Sequence, residues 1–198
     1  MPACNSVTMV TMSPEQEGDS GINLFSVVAY LPDPLGSFVD QLRQELVPSC
    51  NLRAHVTILP PRPLTVGIET AIARIRSGIR DLSPFEVQVK DVEIFAITSV
   101  VYLSLGKGCS RICEMHDLLN VDELRFEEPY LFHPHITLAQ QITPEQIPGV
   151  YELARLRWAH YPYKKSFVMD CVTFVQGTAN GAWIDLEECP VGPVASVR

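Results

Sequence analysis

Apolar residues change their spacing along the chain in a regular order. LFSVVAYL (24–31) is almost continuously hydrophobic and ends at PDP, as a buried strand closed by turn residues does. In SFVDQLRQELV the apolar positions Phe38, Val39, Leu42, Leu46 and Val47 fall at helical spacing, and Pro48 and Ser49 close the helix before a strand in AHVTIL. Ile68, Ile72, Ile75 and Ile79 mark one face of a second helix whose other face carries Glu69, Arg74 and Arg76. FEVQV alternates with period two, KD breaks the pattern, and VEIFAI resumes it, which predicts a bulge or a bend at a sheet edge.

A second round follows. VVYLSL (100–105) predicts a strand, GKG a turn, CSRICEMHDLLNV a helix and FEEPYLFHPHITLAQ another short strand. TPEQIPGVYELARLRWA starts like a helix, with Thr143 as cap, Pro144 at the first helical position and Gln146 as capping-box partner, although Pro148 and Gly149 interrupt it. SFVMDCVTFVQ, a turn at GTANG and AWIDLEE end the pattern as strands. Several strands are separated only by turns, so an α+β fold of antiparallel sheets backed by helices is expected rather than a doubly wound parallel sheet. Neither GxGxxG nor GxxxxGK[ST] occurs. The domain is expected at 22–190, after a flexible N-terminal segment at 1–21 that lacks sustained periodicity, and before a C-terminal tail at 191–198.

The two short strands share one composition. His55-Val-Thr57 and His135-Ile-Thr137 lie 80 residues apart, each inside a short apolar run. Side chains at i and i+2 of a strand share a face, so each copy opposes a His–Thr face to an apolar face fit to cover a core. If a two-fold axis relates the halves, both polar faces line one cleft. Histidine titrates near neutrality, so one ring can accept a proton while the other donates one. Opening a cyclic phosphate needs both acts: water loses a proton as it attacks phosphorus, and the departing ribose oxygen gains one. The Thr57 and Thr137 hydroxyls would donate to nonbridging phosphate oxygens.

Composition narrows the partners. The chain of 198 residues carries 15 Lys and Arg against 23 Asp and Glu, a formal charge of −8. Extended nonspecific binding to nucleic acid rests on a basic surface and is not expected here, whereas a small nucleotide or a short RNA end is compatible. No apolar run approaches the length of a membrane span, and no basic-then-apolar leader opens the sequence. Six cysteines without CxxC spacing suit reduced thiols, and a cytoplasmic location is expected.

With these residues in place, the chain resembles the 2H phosphoesterase superfamily and, within it, the bacterial 2′-5′ RNA ligase family. The resemblance rests on His55-Val-Thr57-Ile58 and His135-Ile-Thr137-Leu138 with the flanks AHVTILPP and FHPHITLAQ, and it extends from about residue 22 to about 188. It implies a bilobal fold with pseudo-two-fold symmetry, a central cleft and no cofactor. It also implies metal-independent hydrolysis or transfer at 2′,3′-cyclic phosphates or 2′-5′ phosphodiester bonds. His55 and His135 would be the acid/base pair and Thr57 and Thr137 the phosphate holders, with His135 activating water and His55 protonating the leaving oxygen. Gln140 departs from the pattern, since arginine is frequent there in RNA-processing relatives.

Other residues bear on the same site. Arg62 is the first candidate to supply the missing cation to phosphate, ahead of Arg53 and Lys107. Tyr30, Tyr130 and Phe132 are candidates to stack a nucleobase. His133 with His135 and His55 could imitate a three-histidine zinc site, but a metal would occupy the free imidazole bases, and no metal is expected. Two other readings therefore stand beside the phosphodiesterase: a noncatalytic module that binds a phosphorylated nucleotide, and a zinc-dependent hydrolase.

Overall fold

Two four-stranded antiparallel sheets build the protein, in a computed structural model that describes residues 21–193. The expected lead-in, apart from Gly21, and residues 194–198 of the expected tail lie outside the described residues. In chain order the elements are β1 (Gly21–Tyr30), α1 (Leu35–Leu46), β2 (His55–Arg62), α2 (Ile68–Ile79), β3 (Phe85–Ile94), β4 (Val101–Leu105), α3 (Cys109–Leu119), β5 (His135–Ala139), α4 (Ile147–Ala159), β6 (Ser166–Met169), β7 (Cys171–Thr178) and β8 (Trp183–Pro190), with a short 3₁₀ turn at Asp122–Leu124. The first sheet has the order β2-β1-β7-β8 and the second β5-β4-β3-β6.

Most elements lie where the hydrophobic spacing places them, and three differ for physical reasons. SFVMDCVTFVQ is not one strand: it breaks at Asp170, with β6 pairing to β3 in the second sheet and β7 to β1 in the first. The last helix starts later than a Thr143 cap would place it. Thr143 and Gln146 close a preceding turn, and helix α4 begins at Ile147 so that Pro148 falls in the first turn, where its missing N–H costs nothing. Strand β2 runs on through Pro60 and Pro61 to Arg62, which an edge strand permits because its outer N–H groups have no ladder partner.

The KD break is a bulge within one strand. The β3–β4 register slips between Val89 and Val92, and the Trp158 indole donates to the freed Lys90 carbonyl at 2.5 Å. The GKG turn needs its second glycine, since Gly108 sits at φ 90° and a Cβ there would lie 2.5 Å from the Glu86 carbonyl.

The two halves pack by exchange. Helix α1, which precedes the first HxT strand, packs on β5, and α3, which precedes the second, packs on β2. Helix α1 also meets α4, as α3 meets α2, so the contacts repeat when the halves are interchanged. Each HxT strand is an edge strand, and the two edges β2 and β5 meet each other. Their apolar faces, Val56 and Ile58 on one and Ile136 and Leu138 on the other, are fully buried. None of the helices in the described residues is long and apolar enough to cross a membrane.

Candidate active site

Strands β2 and β5 present the same pattern of exposure. His55 and Thr57, like His135 and Thr137, are half-buried, while the residues between and after them are buried. This is the period-two alternation expected of a strand with one face on the core and one on a cleft.

Each histidine is held in the same way. His55 Nδ1 lies 2.7 Å from the Arg53 carbonyl, and His135 Nδ1 lies 2.7 Å from the His133 carbonyl. A carbonyl only accepts, so Nδ1 carries the hydrogen and donates it in both rings. The neutral ring then keeps its lone pair on Nε2, turned away from its own backbone and able to take or return a proton. The backbone two residues upstream thus selects one tautomer twice.

Burial sets the basicity. Loss of solvent pushes His55 down to about 4, with the nearby charges of Arg43 and His135 adding to the effect. The strands that carry the two rings, β2 and β5, meet each other. Burial also lowers His135, helped by the neighbouring His133. Phe95 and Tyr102 stand edge-on to the His135 ring at 4.9 and 5.3 Å.

These shifts have a sign that can be checked. In the unfolded chain His55 takes its proton near 6.5, whereas in the folded protein it does so only near 4. Between those values the unfolded state binds more protons, so stability falls as pH drops through that window and levels off below it. His135 contributes in the same direction. The urea midpoint of wild type should therefore drop more between about pH 7 and pH 5 than that of His55→Asn. Equal drops in the two proteins would contradict it.

Residues on α1 hold the approach to the first motif. The Asp40 carboxylate accepts the Ala54 N–H at 2.6 Å, and Arg43 donates to the same Arg53 carbonyl that His55 uses, at 3.2 Å. Neither residue stands out in the sequence. The one available signal was Arg43 beside Leu42 on the helix face that packs inward.

A recess of about 280 Å³ opens beside His55, walled by Tyr30, Asn51, Arg53, Trp183 and Asp185. The Tyr30 hydroxyl donates to Asp185 at 2.5 Å, and the Arg53 guanidinium covers the Tyr30 ring at 3.8 Å, so one face of the expected stacking residue is already occupied. Trp183, half-exposed on β8, is an aromatic wall of this recess that no local spacing in the sequence singles out.

The remaining candidates are dispersed. Phe132 is stacked on His116 with centroids 4.0 Å apart, and Tyr130 is exposed on the segment before β5. Lys107 is paired with Glu86. Arg62 is 3% exposed and points away from solvent. Its guanidinium donates to the Pro60 carbonyl, Asn120, the Leu124 carbonyl and Glu128, which leaves little of it to offer a phosphate. The His133 and His135 rings are 6.4 Å apart, and among the described residues no group of three His, Cys, Asp or Glu side chains is arranged to hold a metal ion.

Comparisons with known proteins agree with this architecture. The sequence profile of the 2′-5′ RNA ligase superfamily matches residues 31–180. The phosphoesterase-like protein BH1439 of Halalkalibacterium halodurans is 22% identical over 170 residues, which cover 85% of this chain and 97% of that protein. Among solved structures, E. coli LigT complexed with phosphate superposes with a TM-score of 0.57 at 17% identity, over 87% of this chain and 99% of LigT. The same protein complexed with 3′-AMP gives a TM-score of 0.56 at 17% identity, over 85% and 97%.

Proposed function

The chain belongs to the 2′-5′ RNA ligase superfamily, and on that premise we propose that it is a metal-independent phosphodiesterase that opens 2′,3′-cyclic phosphates or cleaves 2′-5′ phosphodiester bonds, in RNA ends or small nucleotides. One observation carries the reading. Two edge strands that meet each bear a histidine whose Nδ1–H is spent on a backbone carbonyl, which leaves two Nε2 atoms for proton transfer.

The reaction divides between the two rings. His135 Nε2 takes a proton from water as the water oxygen bonds to phosphorus. The bond from phosphorus to the ribose oxygen breaks on the opposite side, and protonated His55 gives its Nε2 proton to that oxygen. His135 ends protonated and His55 neutral, and exchange with solvent resets both. Thr57 and Thr137 donate to the nonbridging oxygens, whose charge grows in the transition state. Ligation is the same path in reverse, with the roles of the rings exchanged.

The recess supports this division of labour. It adjoins His55, so a nucleoside seated there brings its leaving oxygen to that ring and leaves the in-line water to His135. The low basicity of His55 belongs to the free protein, and an arriving phosphate anion raises it into the range where it carries a proton. LigT has been solved with phosphate and with 3′-AMP, and a single nucleotide suits a recess of about 280 Å³, which is small for a longer chain.

The test is a panel of 2′,3′-cyclic nucleotides, 2′-5′ dinucleotides and ADP-ribose cyclic phosphate, assayed without added metal. Turnover of one class supports the reading. Binding without turnover would leave a phosphorylated-nucleotide-binding module, and activity only with zinc would reinstate a metal hydrolase. Replacing either threonine with the isosteric valine should lower kcat by about 10²-fold with the fold intact. Unchanged kinetics in Thr57→Val and Thr137→Val would remove them from phosphate binding.

A further inference from the structure

The Arg62–Glu128 pair lies at equal chain distance from both histidines. Arg62 stands seven residues after His55, and Glu128 seven residues before His135. Their side chains meet at 2.6 Å, with 3% and 10% of each exposed. Through this contact the far end of the first HxT strand grips the segment that leads into the second. We infer that this pair is a positioning clamp, which sets how β2 and β5 lie against each other and so the separation of the two imidazoles. The inference rests on the two-histidine reading of the site.

The surroundings are built to hold the clamp rigidly. Arg62 uses its other donors on the Pro60 carbonyl of its own strand at 2.9 Å, on Asn120 at 2.7 Å and on the Leu124 carbonyl at 3.0 Å. Asn120 in turn holds both the N–H and the carbonyl of Phe126, which ties the end of α3 to the segment after it. Glu128 also lies 3.0 Å from His116 Nε2, and the His116 ring is stacked on Phe132, three residues before His135. An unbroken run of contacts therefore joins one motif to the other. A guanidinium suits this place because its planar fork holds several acceptors in fixed directions at once.

Position matters here because a misplacement of about 1 Å far from the chemistry can cost about 10²-fold in rate. Removing one partner alone strands a buried charge, so the decisive variant removes both, Arg62→Met/Glu128→Gln, which an uncharged pair of similar volume tolerates. Wild type and double variant are compared on 2′,3′-cyclic AMP. The expected result is a cooperative melting transition in both, with kcat about 10²-fold lower in the variant and KM little changed. Amide NMR spectra of the same two proteins should show shifts at both Thr57 and Thr137. Unchanged kcat, or shifts confined to the neighbours of residues 62 and 128, would overturn the clamp. If wild type does not turn over any cyclic or 2′-linked substrate, the phosphodiesterase reading falls. The spectra then judge the clamp alone: shifts at both threonines support it and local shifts end it.

Discussion

His55→Ala and His135→Ala should each lower turnover of the responsive cyclic or 2′-linked substrate by about 10²–10⁴-fold, the usual worth of a positioned acid or base. Both rings are half-buried on the strand faces opposite the packing residues, so truncation removes chemistry and leaves the core in place. The double variant should be little worse than either single one, because two groups that serve one displacement at phosphorus fail together. The pH profile gives a finer check. Wild type should show a bell in kcat/KM, and each single variant should lose one limb of it. Full activity in either alanine variant, with an unchanged circular dichroism spectrum, would sink the acid/base assignment.

Arg62→Ala should be the most damaging single change to stability outside the apolar core, at about 3–5 kcal/mol. That is a large part of the roughly 5–15 kcal/mol that holds a domain folded. The loss is that of four hydrogen bonds and, above all, of the cation facing a nearly buried Glu128 carboxylate. Urea denaturation measures it directly. Arg62→Met/Glu128→Gln should recover most of the loss, since no charge is then left unpaired. A midpoint for Arg62→Ala close to wild type would mean that the guanidinium is solvated after all, and its placement as a buried structural group would have to be abandoned.

What could be read from the residues alone was governed by distance along the chain. The HxT strands were legible because period-two alternation is local: His55 and Thr57 face one way and Val56 and Ile58 the other, whatever the rest of the protein does. The amphipathic α2, with Ile72, Ile75 and Ile79 buried, was legible for the same reason. The break at Asp170 was not, because Phe167 and Met169 on one side and Val172 and Phe174 on the other continue one apolar run. Only remote partners, β3 for the first pair and β1 for the second, assign them to different sheets. Arg62 shows the same limit in a site residue. Its nearness to the first motif suggested phosphate, while the acceptors that hold it lie on Asn120, Leu124 and Glu128, about sixty residues on. Trp183 reaches the recess beside His55 only because β8 returns to the first sheet, which no local pattern announces.

The break at Asp170 has a bearing on how the protein is made. All four strands of the second sheet lie between Phe85 and Met169, so they emerge from the ribosome as one uninterrupted stretch. The first sheet is split: β1 and β2 are synthesised early but must wait for β7, the neighbour of β1, and for β8 beyond it. A nascent chain that has emerged as far as residue 170 therefore holds one finished sheet and an orphaned pair of strands, joined through α1, with an open edge. Competence arrives only once β7 and β8 are translated, and a premature stop anywhere before them leaves the recess beside His55 without its Trp183 and Asp185 wall.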